Sequence, residues 1–312
     1  MSYNNLSMIS IYQGIRGDEF KSLIAGLMRR ANLKDKYIET LTNEENMSKF
    51  SKAFTASSAN SKNNYEIYEQ LGDVSANKFI VWYAYRRFPQ LQCTAGVKVV
   101  ARLRINYGAK KSFSDIADKL GFWPYISAAE DGLDRSAKYR NRHKKDLLED
   151  VFEAFIGCTE QILDDEYRPG VGYGVVYDIL SSIFDNINIS LKFKDLYDAK
   201  TRMKEIFDAF NMLGTFQFID SREEVAQNEN YTSIAISKLY QVPPGKNKKA
   251  RRFTDKEGNA HKSPNVGWIL IGMGTSTTKS NAQQIASEKG ISYLNKQGYI
   301  KEVPIEYRLF CQ

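Results

Sequence analysis

Carboxylates at helical spacing are the residues of this 312-residue chain best suited to chemistry. Glu66, Glu69 and Asp73 stand at i, i+3 and i+7 in a stretch, residues 64–80, that reads as a helix, so they share one face. Ile67, Leu71, Val74 and Val81 form a second stripe, which is expected to turn towards a core. Like charges stacked in this way repel one another. A single acidic stripe is ordinarily a solvated face, but a second acidic pair changes the balance. Asp150 and Glu153, at i and i+3 in residues 146–157, flank an apolar stripe of Leu147, Val151, Ala154 and Cys158. Two helices that each carry carboxylates beside a buried stripe can bring four oxygen ligands together. That donor set suits a hard cation such as Mg²⁺ or Mn²⁺.

Composition and charge narrow the partner. With 42% hydrophobic and 26% charged residues, the chain has the balance of a soluble globular protein, long enough for one large or two modest domains. No apolar run approaches a membrane span, and the polar opening lacks the form of a signal peptide. Cys93, Cys158 and Cys311 are odd in number and scattered, which suggests reduced thiols in a cytoplasmic or nuclear setting, not a secreted one. With only His143 and His261, zinc-finger spacing and histidine general-base chemistry find little support. The net charge of +7 is unevenly placed. Residues 135–145 hold six basic residues and no acidic one, and residues 241–262 hold seven basic against two acidic. Either run alone could be a solvated loop. On a chain that also carries acidic stripes, they suggest a polyanion partner with a metal between.

The elements that must position these groups read as helical for the first half of the chain. Residues 1–17 are polar and aperiodic and are expected to be loosely ordered. Asp18 reads as an N-cap before Phe20, Leu23, Ile24, Leu27 and Met28, and Asn43 leads into Met47, Phe50 and Phe54. The acidic helix is expected to stop at Pro89. Helices are also expected over residues 97–107, over 113–120 with Gly121 as terminator, and over 175–186. Residues 169–174, rich in glycine but without the Lys-Ser/Thr of a phosphate loop, read as a flexible turn before the last of these. Beyond residue 191 the pattern changes to a helix at 198–207, alternating strands at 215–220, 231–239 and 266–271, and a closing helix at 279–294 with Ala282, Ala286 and Tyr293 on one face.

The two acidic motifs carry a resemblance. Glu66-x-x-Glu69-x-Leu71-Gly72-Asp73 followed by Asp150-x-x-Glu153-Ala154-x-Ile156-Gly157 resembles the signature of the ribonuclease III family, in order and spacing as well as residue type. The resemblance implies an all-α endonuclease domain over residues 18–190 and hydrolysis of double-stranded RNA to 5′-phosphate and 3′-hydroxyl ends with short 3′ overhangs. It implies Mg²⁺, with Mn²⁺ able to substitute, at Glu69, Asp73, Asp150 and Glu153. Glu69, Asp150 and Glu153 would be direct ligands, and Asp73, which with Glu153 would be catalytic, would hold water and position the nucleophile. Glu66 matches a further acidic position and would contact RNA or shape the site. Arg140 and Arg142, in the basic run before the second motif, would draw the phosphodiester in. Family members pair their nuclease domains, which implies a homodimer here. Gln70, however, stands where an aromatic residue commonly fills the partner's pocket, and burying an unpartnered amide costs about 1–3 kcal/mol. A polar socket, a shifted interface or a heterodimer are the alternatives. Two other classes stay open on the same fold: a non-cleaving protein that shields double-stranded RNA, and a structural ribonucleoprotein component. The complete set of carboxylates favours the enzyme.

Residues 198–312 resemble, more distantly, a small α+β (αβββα) double-stranded-RNA-binding domain, after a linker at 191–197. Lys200 and Glu205 match its opening helix, and Gly272-x-Gly274 with Lys279-x-x-Ala282-x-Gln284-x-Ala286 matches its last strand and helix. Two features depart from the pattern: only Lys279 remains of a usual lysine pair, and the Pro-x-His element is missing from residues 221–230. A basic insertion at 241–262, with Lys246, Lys248, Lys249, Arg251 and Arg252, would compensate through phosphate contacts.

Overall fold

The computed structural model of the protein describes residues 10–130, 137–227, 230–254, 258 and 260–310. Of residues 110, 111, 137–139, 225–227 and 230–232 it describes the backbone alone. The chain divides into two compact units, Met1–Ile189 and Ser190–Gln312.

The first unit is helical: α1 (Asp18–Arg30), α2 (Asp35–Leu41), α3 (Glu44–Ala53), α4 (Glu66–Arg87), α5 (Gly96–Tyr107), α6 (Lys110–Lys119), α7 (Ala137–Glu166) and α8 (Val171–Phe184). The middle of α7 is the spine of the unit, packed against α2, α3, α4, α6 and α8. Its residues 151–159 are buried on every side, among phenylalanines that include Phe50, Phe113, Phe122 and Phe155. Leu147, Val151, Ala154 and Cys158 lie in this core as the periodicity predicts.

A glycine pair lets α4 meet α7 backbone to backbone. A Cβ on Gly72 would stand 1.7 Å from the Glu153 carbonyl oxygen, and one on Gly157 would stand 2.1 Å from the Tyr68 carbonyl oxygen. The close approach turns Tyr68, Gly72, Ala76, Phe79 and Tyr83 of α4 inward. The stripe of Ile67, Leu71, Val74 and Val81, expected to face the core, is therefore on the outside, with Ile67 57% and Val74 67% exposed. Helical periodicity groups residues on a face but does not say which of two apolar faces is buried.

Two loop expectations are also corrected. Residues 10–17 are tied down: β1 (Ile11–Tyr12) pairs antiparallel with β2 (Ala128–Ala129), and the Gly14 N–H donates to Ser127 Oγ at 3.0 Å. The Arg16 guanidinium donates to the Tyr125 carbonyl at 2.5 Å and lies over the Phe20 ring. The glycine-rich turn is mostly helix, because α8 begins at Val171. The Asp164 carboxylate accepts from the N–H groups of Gly170 and Gly172 at its start, and Gly172 packs on the Glu160 carbonyl.

The second unit holds α9 (Phe193–Leu196), α10 (Ala199–Ala209), β3 (Thr215–Gln227), β4 (Asn230–Val242), β5 (Arg251–Thr254), β6 (Ala260–Ser263), β7 (Ile269–Ser276), α11 (Lys279–Lys296) and α12 (Ile305–Arg308). Residues 191–197, read as a linker, are built into it: Leu196 is buried, and the Phe193 and Tyr197 rings pack on Tyr307 of α12. β3, β4 and β7 form an antiparallel sheet in that order, and β5–β6 is a separate hairpin inserted between β4 and β7. β7 begins later than expected, because Gly267 turns the chain at φ +87°, and it runs on through Gly272 and Gly274. Those two glycines admit the backbone of α11, since a Cβ on either would stand 2.1 Å from a carbonyl oxygen of Ala286 or Ala282. The inward face of α11 is Ala282, Ala286, Gly290 and Leu294, with Tyr293 at the rim, 37% exposed, and not on the buried face.

Glycine substitutions are expected to separate these roles. Gly157→Ala gains helix propensity but overpacks the crossing, and should lower stability by about 1–3 kcal/mol. Gly174→Ala, in α8 with no atom near the new methyl, should raise it by about 0.5–1 kcal/mol. Urea unfolding midpoints of the two variants should move in opposite directions.

Candidate active site

The glycine crossing sets the acidic positions of α4 beside those of α7. Glu153, whose carbonyl forms part of the crossing, is only 7% exposed. Its carboxyl is pushed up to about 8, first by burial and then by the negative charges of Asp73, Glu149, Glu69 and Asp150. The other three motif carboxylates are thus close enough to act on Glu153, although the two motifs are separated by most of a domain in sequence. Glu69 and Asp150 are half-buried and Asp73 is exposed, so the cluster runs from the core to the surface.

Neighbouring groups orient two of these carboxylates. The Tyr65 hydroxyl, just ahead of α4, donates to Asp150 Oδ2 at 2.7 Å. Tyr65 is 6% exposed, and burial, followed by Asp150, Glu69 and Glu66, holds its phenol far above the usual range, so it stays a neutral donor. The Tyr65 N–H donates to the Thr55 carbonyl, which fixes the turn into the helix. On the other side, Asn77 Nδ2 donates to Asp73 Oδ1 at 2.8 Å, one helical turn along α4. Tyr65, Asn77 and Glu149 were not legible as site residues. The Asn77 spacing from Asp73 was available in the sequence, but the Tyr65–Asp150 pair spans 85 residues and depends on the crossing.

The donor set fits a hard divalent cation. Neighbouring carboxylates raise each other's proton affinity, and a cation removes that penalty. The fit is in donor type and neighbourhood: among the described residues no three His, Cys, Asp or Glu side chains are drawn around one point as a finished cage. Glu66 is exposed on the same helix and bears on Tyr65.

The basic residues divide into engaged and open ones. Arg140 and Arg142 are exposed near the start of α7, with Arg142 4.0 Å from Asp146. Lys144 and Lys145 pair with Asp118 and Asp115 of α6, so the run is partly neutralised. Arg135 lies outside the described residues. In the second unit, Lys200 donates to Gln283 Oε1 at 2.8 Å, Glu205 pairs with Lys301 at 2.8 Å, and Lys279 pairs with Asp220 at 2.8 Å. Burial alone would raise the Asp220 carboxyl, but hydrogen bonds from Lys279, Ser237 and Gln283 and the Lys279 charge hold it below the usual range. Lys246, Lys248, Lys249, Arg251 and Arg252 are exposed.

Gln70 is also exposed, on the side of α4 that carries Ile67, Leu71 and Val74. Further along, Val74, Val81, Trp82 and Tyr85 line a groove of about 910 Å³ with Arg104 and Ile105 of α5.

Comparison with known proteins agrees with this geometry. A Ribonuclease III domain model matches residues 66–160, from the first acidic helix through the second. A viral protein named as a ribonuclease 3, from Invertebrate iridescent virus 6, is 37% identical over 96% of both chains. Another, from Frog virus 3, is 44% identical over 59% of this chain and 47% of its own length. A bacterial ribonuclease 3 from Lactobacillus johnsonii is 28% identical over 71% of this chain and 91% of its own.

Tyr65→Phe removes one hydroxyl and nothing else. It should leave helix content unchanged and raise the divalent-cation concentration needed for half-saturation by about 10–100-fold, the usual cost of losing a group that orients a ligand. Isothermal titration with Mn²⁺ would measure it.

Proposed function

The chain belongs to the ribonuclease III family and is an RNA endonuclease, and from that premise we propose that it hydrolyses double-stranded RNA with Mg²⁺, or Mn²⁺ in its place, leaving 5′-phosphate and 3′-hydroxyl ends with short 3′ overhangs. The observation that carries this reading is the glycine crossing of α4 and α7, which sets Glu69 and Asp73 of one helix near Asp150 and buried Glu153 of the other.

Glu69, Asp73, Asp150 and Glu153 would hold the cation. Bound there, it supplies charge to neutralise a non-bridging phosphate oxygen and lowers the pKa of water for in-line attack. The chain's own residues do the positioning. Glu153, fixed in the core, is the rigid end of the cluster, and Asp73 is the exposed end that meets solvent and substrate. Tyr65 and Asn77 hold Asp150 and Asp73 against rotation. Arg140 and Arg142, exposed near the start of α7, would offset the repulsion between an acidic cluster and a polyanion.

The outward apolar stripe of α4 supports a homodimer. Exposed apolar groups set side by side mark a contact surface more often than a solvated one, and an isologous pairing would match the approximate two-fold symmetry of an RNA duplex. Gln70 lies within that surface, so a homodimer of this kind would need a polar socket to receive it. The antiparallel β3–β4–β7 sheet backed by α10 and α11 supports reading the second unit as a double-stranded-RNA-binding domain. The free Cys93 and Cys158 are in keeping with a cytoplasmic or nuclear setting.

Wild type should cut a labelled RNA duplex in Mg²⁺ and not in chelator, and Glu153→Gln should lower the rate by at least about 100-fold. Duplex binding without cutting by wild type in either metal would replace the nuclease reading with a shielding role. Leu71→Glu should convert a dimer to a monomer in sedimentation experiments without loss of helix content, because the side chain is 44% exposed in the single chain.

A further inference from the structure

We propose that the β5–β6 hairpin and the loop before it form a duplex-RNA-gripping arm, which takes over phosphate binding from the helix ends of the second unit. The proposal rests on the reading of the protein as a double-stranded-RNA endonuclease and names where that RNA is held.

The charge on this arm faces solvent. Lys246, Lys248, Lys249, Arg251, Arg252 and Lys262 are all exposed, and among the described residues none of them forms an ion pair. The lysines of the helix ends differ: Lys279 is neutralised by Asp220, and Lys200 is engaged by Gln283. Among the described residues, Lys279 thus has an acidic partner and the cations of the insertion have none.

The arm is also built to hold a shape. The Trp268 indole N–H donates to the Asn247 carbonyl at 3.0 Å, Asn265 Nδ2 to the Lys249 carbonyl at 2.5 Å, and the Lys249 N–H to Asn247 Oδ1 at 2.9 Å. Trp268 itself is buried with Ile219 and Val242, which ties the basic loop to the main sheet. In the hairpin, the Phe253 and His261 rings stack across the strands at 5.3 Å. A chain that needed only a solvated loop would have no use for these anchors.

One register position points to an anion directly. Arg252 stands opposite Lys262 in the β5–β6 pairing, and like charges at such a position destabilise a hairpin. A two-stranded hairpin is marginal to begin with, so this pair is a liability until a polyanion lies against it. Successive residues of a strand leave opposite faces, so Arg251 and Arg252 project from the two sides of the ribbon. Cations on both sides of a narrow ribbon fit a ligand with phosphate rows on both sides, which is an RNA duplex groove bounded by its two backbones. Contacts of this kind carry charge and shape but no base readout.

The test is binding of the full chain to a labelled RNA duplex of about 30 base pairs, in chelator to prevent cutting, across a salt series. Replacing Lys246, Lys248, Lys249, Arg251 and Arg252 by Gln should weaken binding at least about tenfold near physiological salt and flatten the log–log salt slope by about one for each phosphate no longer neutralised. Lys200→Gln with Lys279→Gln should change the slope by less than about one. Should the fivefold variant melt earlier than wild type, Arg251→Gln with Arg252→Gln, confined to two exposed side chains, decides on the same readout. An unchanged affinity and slope in the substituted chain, or a larger loss from the helix-end pair, overturns the arm while leaving the nuclease reading intact. Failure of wild type to bind or cut duplex RNA overturns both. Equal dependence on these residues for vesicles of anionic lipid, with no binding of duplex, would reassign the arm to a membrane surface and overturn it as well.

Discussion

The backbone contact between Gly72 and Gly157 is the constraint on which the site depends. Two helices carrying ordinary side chains at that crossing would stand several ångströms further apart, with the carboxylates of each facing solvent separately. With glycine on both sides, the Glu153 and Tyr68 carbonyls occupy the space of the missing methyls, and the acidic groups of one helix lie in the field of the other. The crossing also explains why Glu153 is buried. It sits on the enclosed stretch of α7, residues 151–159, where an ionised carboxylate is tolerable only with compensating charge.

The same contact decides the two faces of α4. The inward face uses small residues and aromatic rings: Gly72, Ser75 and Ala76 near the crossing, Phe79 and Tyr83 beyond it. That leaves the branched aliphatics Ile67, Leu71, Val74 and Val81 outside, where their only stabilising use is contact with another surface. Core and outward apolar surface therefore share one helix, and the motif carboxylates Glu69 and Asp73 lie along the edge between its two faces. Trp82 and Tyr85 extend the outward surface, and Lys78 and Arg86 cover the Trp82 ring by cation–π contact, which keeps part of that surface polar at its rim.

In the second unit the organising principle is electrostatic. Lys200, Lys279, Ser237, Gln283 and Asp220 form a connected polar network between α10, α11 and the sheet. The network fixes the helices but uses the charges that a bare helix end would otherwise present. Among the described residues no acidic group pairs with the cations of the inserted hairpin, whose own two acidic residues, Asp255 and Glu257, lie outside the described residues. One module thus commits its helix-end cations to its own fold and exposes those of an insertion.

The sequence by itself determined what local spacing and residue type can determine. It placed the helical character of the first unit, the Leu147–Val151–Ala154–Cys158 core stripe, the identity of the motif carboxylates and the basic insertion. These follow from the 3.6-residue period and from charge, both of which are written along the chain. The tertiary structure alone decided which face of α4 is buried, because the answer rests on a glycine 85 residues away in α7 that permits backbone contact. It alone paired Tyr65 with Asp150, built residues 10–17 and 191–197 into the two units, and neutralised Lys279 with Asp220. Each of these depends on groups distant in sequence and adjacent only after packing. A sequence pattern can state that a helix has two usable faces, but only the neighbour that arrives against one of them selects it.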